Sequence, residues 1–342
     1  MTQGMFSPET LLRERGTSQE LGEFVVATAF AGSVAAFALG DGTLRLAPPA
    51  GEWTTVAAHD GPILAMAADA SGGWVTGGDD GAFRRVGPDA TVTEVASFGS
   101  RWVEHVAAGA DGKTRLLACA AGKHVHVFTD GQKLKTLEHP STVSGVVFDA
   151  KGKRIAASHY NGCSLWFVSA KTDTPRRLEW KGSHTGIAIH PAGEAVVTAM
   201  QENALHGWRL PDGQHMRMSG YPSKTESLSF SRTGRWLATS GAETVVLWPF
   251  FGGGPMGKPP LELAGGDGVF CSRVAFQPQQ DLLAAGFADG LVVIADVATE
   301  RILPVAPPGH GPVTALAWSP DGARLAFGTE TGFAALFDLS KR

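Results

Sequence analysis

The sequence predicts an all-β chain closed into a single ring of four-stranded antiparallel sheets, a β-propeller. Three observations carry this. A tight-turn signature recurs about every 40 residues from Gly42 to Gly332. The apolar runs between turns are short and bounded by Gly, Pro, Asp or Ser, which is strand spacing rather than helix spacing. Glycine is abundant, 44 of 342 residues, where ~7% is usual, and this favours many tight turns over long helices.

The signature appears as Gly-Asp-Gly at Gly42, Asp-Asp-Gly at Gly81, Ala-Ala-Gly at Gly122 and Tyr-Asn-Gly at Gly162. It continues at Asn203, Glu243, Gly290 and Gly332. Each unit has one internal order. An apolar run leads into a polar turn such as Ser319-Pro320-Asp321-Gly322, and a second run of small residues follows. Then come the signature, a third strand such as Phe333 to Leu339, and a more polar fourth strand such as Lys133 to Glu138. One such sheet cannot bury both faces, whereas a closed circle of them buries every face and leaves only short edges. The count is eight units, with a seven-membered ring plus an N-terminal extension as the alternative. The Gly/Pro-rich stretch from Phe250 to Pro260 is an insertion between the third and fourth strands of the sixth unit, because the repeat resumes directly after it. The chain thus divides into an N-terminal segment, 1–22, and a ring, 23–342.

The last unit, Gly309 to Leu339, carries Gly309-His310, the Ser-Pro-Asp-Gly turn, and Phe337-Asp338. Trp208 and Trp248 each follow their turn by five residues, Phe167 holds that place in the fourth unit, and His59, His139 and His310 precede their first strands. With these features the chain resembles the WD-repeat β-propeller family, as a divergent member, over nearly its whole length. The resemblance implies a structural link in each unit between a His, a Ser/Thr, a turn Asp and a Trp. No unit has all four: His59 and Asp80 go with Val86, and Thr331 replaces the Asp of the last unit. The units are therefore expected to be held more by apolar packing than by polar networks. The resemblance also implies that the rim around the channel at one face is the contact surface for a protein or peptide.

Closure of the ring is open at this level. The last unit ends after three strands. Its fourth comes either from the N-terminal region, at Gly16 to Glu23, or is missing. Ser7 to Arg15 reads as a short helix, with Ser7 as N-cap and Pro8 in the first position.

Composition narrows the function. Hydrophobic residues are 43% and charged residues 18%, as in a folded chain. The formal net charge is −4, which argues against a nucleic-acid partner bound through phosphates. No long apolar run suggests a membrane span, and the N-terminus lacks a secretory pattern. Cys119, Cys163 and Cys271 have no paired spacing, so a reduced, cytoplasmic protein is expected.

Motifs for chemistry are missing from the sequence. His124 and His126 share a strand face, but a zinc site needs three or four ligands. His159 and His184 read as hydrogen-bonded structural residues. Gly182-Ser183-His184-Thr185-Gly186 has His where a nucleophile elbow needs Ser, and no phosphate loop or dinucleotide fingerprint occurs. The expectation is a non-enzymatic chain without a cofactor.

Two loop types form the rim: the entry to each first strand and the turn between the second and third. Their unexpected members are Trp102, Tyr160 and Phe270, with Arg101, Lys224 and Arg273 near them in the repeat frame. Aromatic and Arg side chains are what an interaction hot spot uses. The competing expectation is that each aromatic packs under its own unit. Phe250, Phe251 and Met256 form a second candidate surface. The function expected is an interaction scaffold. A propeller enzyme with a metal or acid site at the channel mouth and a structural subunit of an assembly are the alternatives.

Overall fold

The computed structural model describes residues 7–341, so the first six residues of the 1–22 segment lie outside the described residues. One short helix, Pro8–Arg15, precedes thirty strands that pair antiparallel throughout the described residues. The repeat explains their order. In the second unit Ile63–Ala68, Trp74–Gly78, Ala82–Val86 and Val92–Ser97 pair in sequence from the inside outward.

Eight innermost strands close the ring. They run from Val25–Ala31 through Ile63–Ala68, Val103–Asp111 and Gly145–Phe148 to the second half of Arg176–Ile189. Leu228–Phe230, Cys271–Phe276 and Val313–Trp318 complete the circle, and the last touches Val25–Ala31 again. Counted as hydrogen-bonded sheets, however, there are seven: six of four strands and one of six. The expectation of eight separate four-stranded sheets is corrected here, and the sheet count is that of the seven-membered alternative.

The physical reason is the continuity of one long strand, Arg176–Ile189, across two units. Arg154–Phe167 folds back on itself at Asn161-Gly162, where both residues have positive φ, and the Val168 N–H reaches the Lys153 carbonyl at 2.9 Å. Arg176–Ile189 pairs through its first half with the fourth unit and through its second half with Ala195–Met200 of the fifth. No gap interrupts Arg176–Ile189, so the fourth and fifth units share one sheet.

The ring is clasped by its N-terminal region. Gly16–Glu20 pairs with Phe333–Asp338 as the outer strand of the last unit, which resolves the open question of the fourth strand. The helix before it starts as its sequence requires: Ser7 Oγ accepts from the Thr10 N–H at 3.2 Å, and Pro8 needs no donor there. Leu11 and Leu12 are buried against Val305, Trp318 and Phe337.

Apolar clusters bridge neighbouring units, as expected: Ala284, Val292 and Ile294 of the seventh pack with Leu325 and Phe327 of the eighth. Small residues make room for this. An added β-carbon on Gly286 would lie 2.4 Å from Cγ1 of Val313, and one on Gly328 would lie 2.3 Å from Cγ1 of Val25. Hydroxyls add stitches that the sequence did not suggest. Ser272 Oγ donates to the Val313 carbonyl at 2.7 Å, and Thr314 Oγ1 donates to that of Val25. The insertion lies where expected, between Thr244–Pro249 and Leu261–Gly265.

Candidate interaction surface

Entry to each first strand and the turn between strands two and three lie at one face, because antiparallel pairing places them side by side. The Ala288 N–H reaches the Phe270 carbonyl at 2.9 Å, and the Tyr160 N–H reaches Ser141 Oγ at 2.9 Å. On this face the three aromatics face solvent: Trp102 is 56% exposed, Tyr160 59% and Phe270 39%. They do not form one cluster. Trp102 and Tyr160 stand on adjacent units, and Phe270 stands on the seventh unit, across the ring from the third. Arg101 is exposed beside Trp102. Lys224 and Arg273 are brought together by Glu226, at 3.7 and 3.1 Å. Arg273 is further fixed by donating Nε to the Thr314 carbonyl at 2.7 Å.

A surface hollow lies beside Tyr160. A cavity of about 770 Å³ is walled by Tyr160, Pro140, Arg177, Glu179, Trp180 and Lys181. A second of about 340 Å³ continues past Tyr160, Trp180 and Lys181 to Met200, Glu202 and Arg217. Together they make a groove over the end of the fourth unit, at the shared sheet. Its floor is rigid. Trp180 stacks on His206 with centroids 4.0 Å apart and planes 14° apart. His206 Nε2 meets His215 Nδ1 at 2.9 Å. The Trp180 carbonyl meets His184 Nε2 at 2.9 Å, while His184 Nδ1 meets Thr198 Oγ1 at 2.7 Å. Trp180, Arg177, Lys181 and Arg217 were not singled out from the sequence. The available signal was the alternation of Arg177, Glu179 and Lys181 on one face of a strand.

Histidines play structural parts. His59 meets Asp80 at 2.9 Å and Thr76 at 2.9 Å, three of the four members of the family's link. In the fourth unit Trp166 donates Nε1 to His139 Nε2 at 3.2 Å. The assignment of Phe167 to that place is thereby corrected: Phe167 is 62% exposed. In the sixth unit Tyr221 stands in for the histidine, with its hydroxyl accepting from Trp248 Nε1 at 2.6 Å. His159 bonds Ser164 Oγ at 3.0 Å. His310 stacks on Phe333 at 3.8 Å.

Burial pushes His105, His126 and His139 down to about 4, and His206 down to about 3. His126 Nδ1 meets Thr136 Oγ1 at 3.1 Å, and its ring lies 6.1 Å from that of His124. Among the described residues no group of three His, Cys, Asp or Glu is placed to hold a metal ion. All three cysteines are buried and free, and burial raises their thiol pKa values. Cys163, beside the Asn161-Gly162 turn, is shielded from solvent.

The second candidate surface is mostly occupied at home. Phe250 packs edge-on against Phe230 at 5.0 Å, and Phe251 against Trp236 at 5.4 Å, with Arg235 and Lys258 over its ring. Met256 stays 47% exposed. No helix among the described residues is long and apolar enough to cross a membrane.

Residues 274–342 match the family model of the anaphase-promoting complex subunit 4 WD40 domain. The chain is 25% identical over 214 residues to a serine-threonine kinase receptor-associated protein of Dictyostelium discoideum, covering 59% of this chain and 68% of that protein. It is 42% identical over 72 residues to the COMPASS component SWD1 of Saccharomyces cerevisiae, covering 19% of this chain and 16% of that one. It is 23% identical over 291 residues to autophagy-related protein 16 of Arabidopsis thaliana, covering 81% of this chain and 55% of that protein. Among solved structures, the computationally designed Ika8 protein aligns with a TM-score of 0.75 and 20% identity, over 94% of this chain and 99% of that one.

Proposed function

We propose that this chain, a divergent WD40-like β-propeller, is a non-catalytic scaffold that holds a protein or peptide on its loop-bearing face. The observation that carries this is the exposure of Trp102, Tyr160 and Phe270 on that face, where the ring's own packing does not cover them. Large aromatics left in water are costly, and at interfaces they are the side chains that contribute most. Arg101, Lys224 and Arg273 add charged contacts around them. A nucleic-acid partner is disfavoured by the net charge of −4. A cytoplasmic setting fits the three unpaired, buried cysteines.

Partner capture with the Trp102→Ala/Phe270→Ala double variant tests the reading. Loss of the captured partner with an unchanged circular dichroism spectrum supports it. An undiminished yield from the folded variant overturns it.

A further inference from the structure

We infer that the groove over the end of the fourth unit binds an acidic, extended peptide segment, with apolar side chains of the segment on Tyr160 and Trp180. The inference rests on reading the loop-bearing face as a binding surface, and names the partner's chemistry at one place on it.

Charge complementarity is the first ground. Arg177, Lys181 and Arg217 stand along the groove walls, and among the described residues none forms an ion pair or a side-chain hydrogen bond. Some basic residues elsewhere on the ring are matched by a neighbouring acid. Lys123 meets Glu138 at 2.6 Å, Arg84 meets Asp80 at 3.4 Å, and Lys224 and Arg273 share Glu226. Three cations without an ion pair thus line one groove of a chain whose net charge is −4. Two acids also line the groove. Glu202 accepts from the Ser183 N–H at 3.3 Å and Glu179 lines the other end, so the groove's cations exceed its carboxylates by one. Guanidinium forks suit carboxylates in particular.

Preorganisation is the second ground. Trp180 is clamped by His206 beneath it and by the His184 bond to its carbonyl, so it loses little freedom when covered. Tyr160 is held at its backbone by Ser141 while its ring faces solvent. A groove with an aromatic floor and cationic walls suits a segment that carries both apolar and acidic side chains, the apolar ones set on the rings and the carboxylates within reach of the guanidinium and ammonium groups.

Fluorescence anisotropy with three labelled peptides tests this: alternating Glu and Leu, alternating Gln and Leu, and alternating Lys and Leu. The acidic peptide should bind roughly tenfold or more tightly than the neutral one, weaken as salt is raised, and exceed the basic one further. Arg177→Glu/Lys181→Glu should lower its affinity roughly tenfold, whereas Lys113→Glu in a distant turn should not. Equal binding of acidic and neutral peptides, full affinity in the charge-reversed variant, or no binding of the acidic peptide overturns the inference. If both acidic and neutral peptides bind and Tyr160→Ala removes both, the acidic preference falls while the binding face stands. If acidic binding survives both Tyr160→Ala and the charge reversal, the groove is not the site.

Discussion

The Trp248 indole donates to the Tyr221 hydroxyl at 2.6 Å, and the same hydroxyl meets Thr239 Oγ1 at 2.6 Å. A tyrosine thus does in the sixth unit what His139 does in the fourth, accepting from the indole of a Trp. Burial raises the Tyr221 phenol to about 12, so it stays a neutral donor and acceptor. Tyr221→Phe keeps the packing but leaves a buried indole N–H without its acceptor. The expected cost is about 1–3 kcal/mol. Urea unfolding with an unchanged m-value measures it, and a cost near zero would show that the indole finds another partner.

Gly286 lies inside a strand, not a turn, and its lack of a side chain admits Val313 of the next unit. Gly286→Ala places a methyl 2.4 Å from Val313 Cγ1 and 2.6 Å from its Cβ. The units must separate or the valine must shift, at an expected cost of about 1–3 kcal/mol. Adding Val313→Ala should recover part of that loss, because the nearest atom goes while Cβ remains. A double variant no more stable than Gly286→Ala alone would refute the contact as the cause.

Acid should begin to weaken the fold through its buried histidines. Burial, with the charge of His159 adding to it, pushes His139 down to about 4, and burial with the charge of His215 pushes His206 down to about 3. Both folded values lie below the 6.5 of a free histidine. The unfolded chain therefore takes up protons first as pH falls. Stability is complete above pH 6.5 and declines from there towards pH 4. Each residue contributes on the order of 2–3 kcal/mol to that decline. Asp80 adds a later loss: burial alone would raise it, but bonds from His59 and nearby backbone hold it below its usual range. Calorimetry from pH 7.5 to 4.5 should show a steep fall in Tm, shallower in His139→Gln. Parallel profiles for the two proteins would exclude His139 as a source.

Much of the ring was legible because its units repeat in phase, and each turn signature falls between a second and a third strand. The shared sheet was not. The fourth strand of one unit and the first of the next are a single strand, Arg176–Ile189, and Lys181 to Ser183 contains no residue that forbids this extension. Trp166 escaped for a related reason. Side chains alternate along a strand, so a shift of one residue changes the face, and the turn's register sends Trp166 inward and Phe167 outward. The glycine count was read as turns, yet Gly286 and Gly328 serve contacts between units. The rim aromatics were found by alignment of the repeats. The cations of the groove were missed because Arg177 and Arg217 come from outer strands of two units, which only the fold brings to one hollow.

The clasp makes the last prediction. Gly16–Glu20 covers the edge of Phe333–Asp338, and the helix before it anchors that strand through Leu11 and Leu12. Each leucine is 7% exposed, so replacing one with Ala removes buried apolar area at an expected cost of about 2 kcal/mol. Removing residues 1–20 does more. It strips the outer strand, bares a row of backbone donors and acceptors, and uncovers the apolar patch beneath the helix. An open, flat edge of this kind pairs with another chain. The shortened protein should melt well below the full chain and show concentration-dependent association by light scattering. Leu11→Ala/Leu12→Ala, which keeps the strand but loosens its anchor, should lower Tm with less association. A shortened protein that stays monomeric with an unchanged Tm would mean that three strands suffice in the last unit.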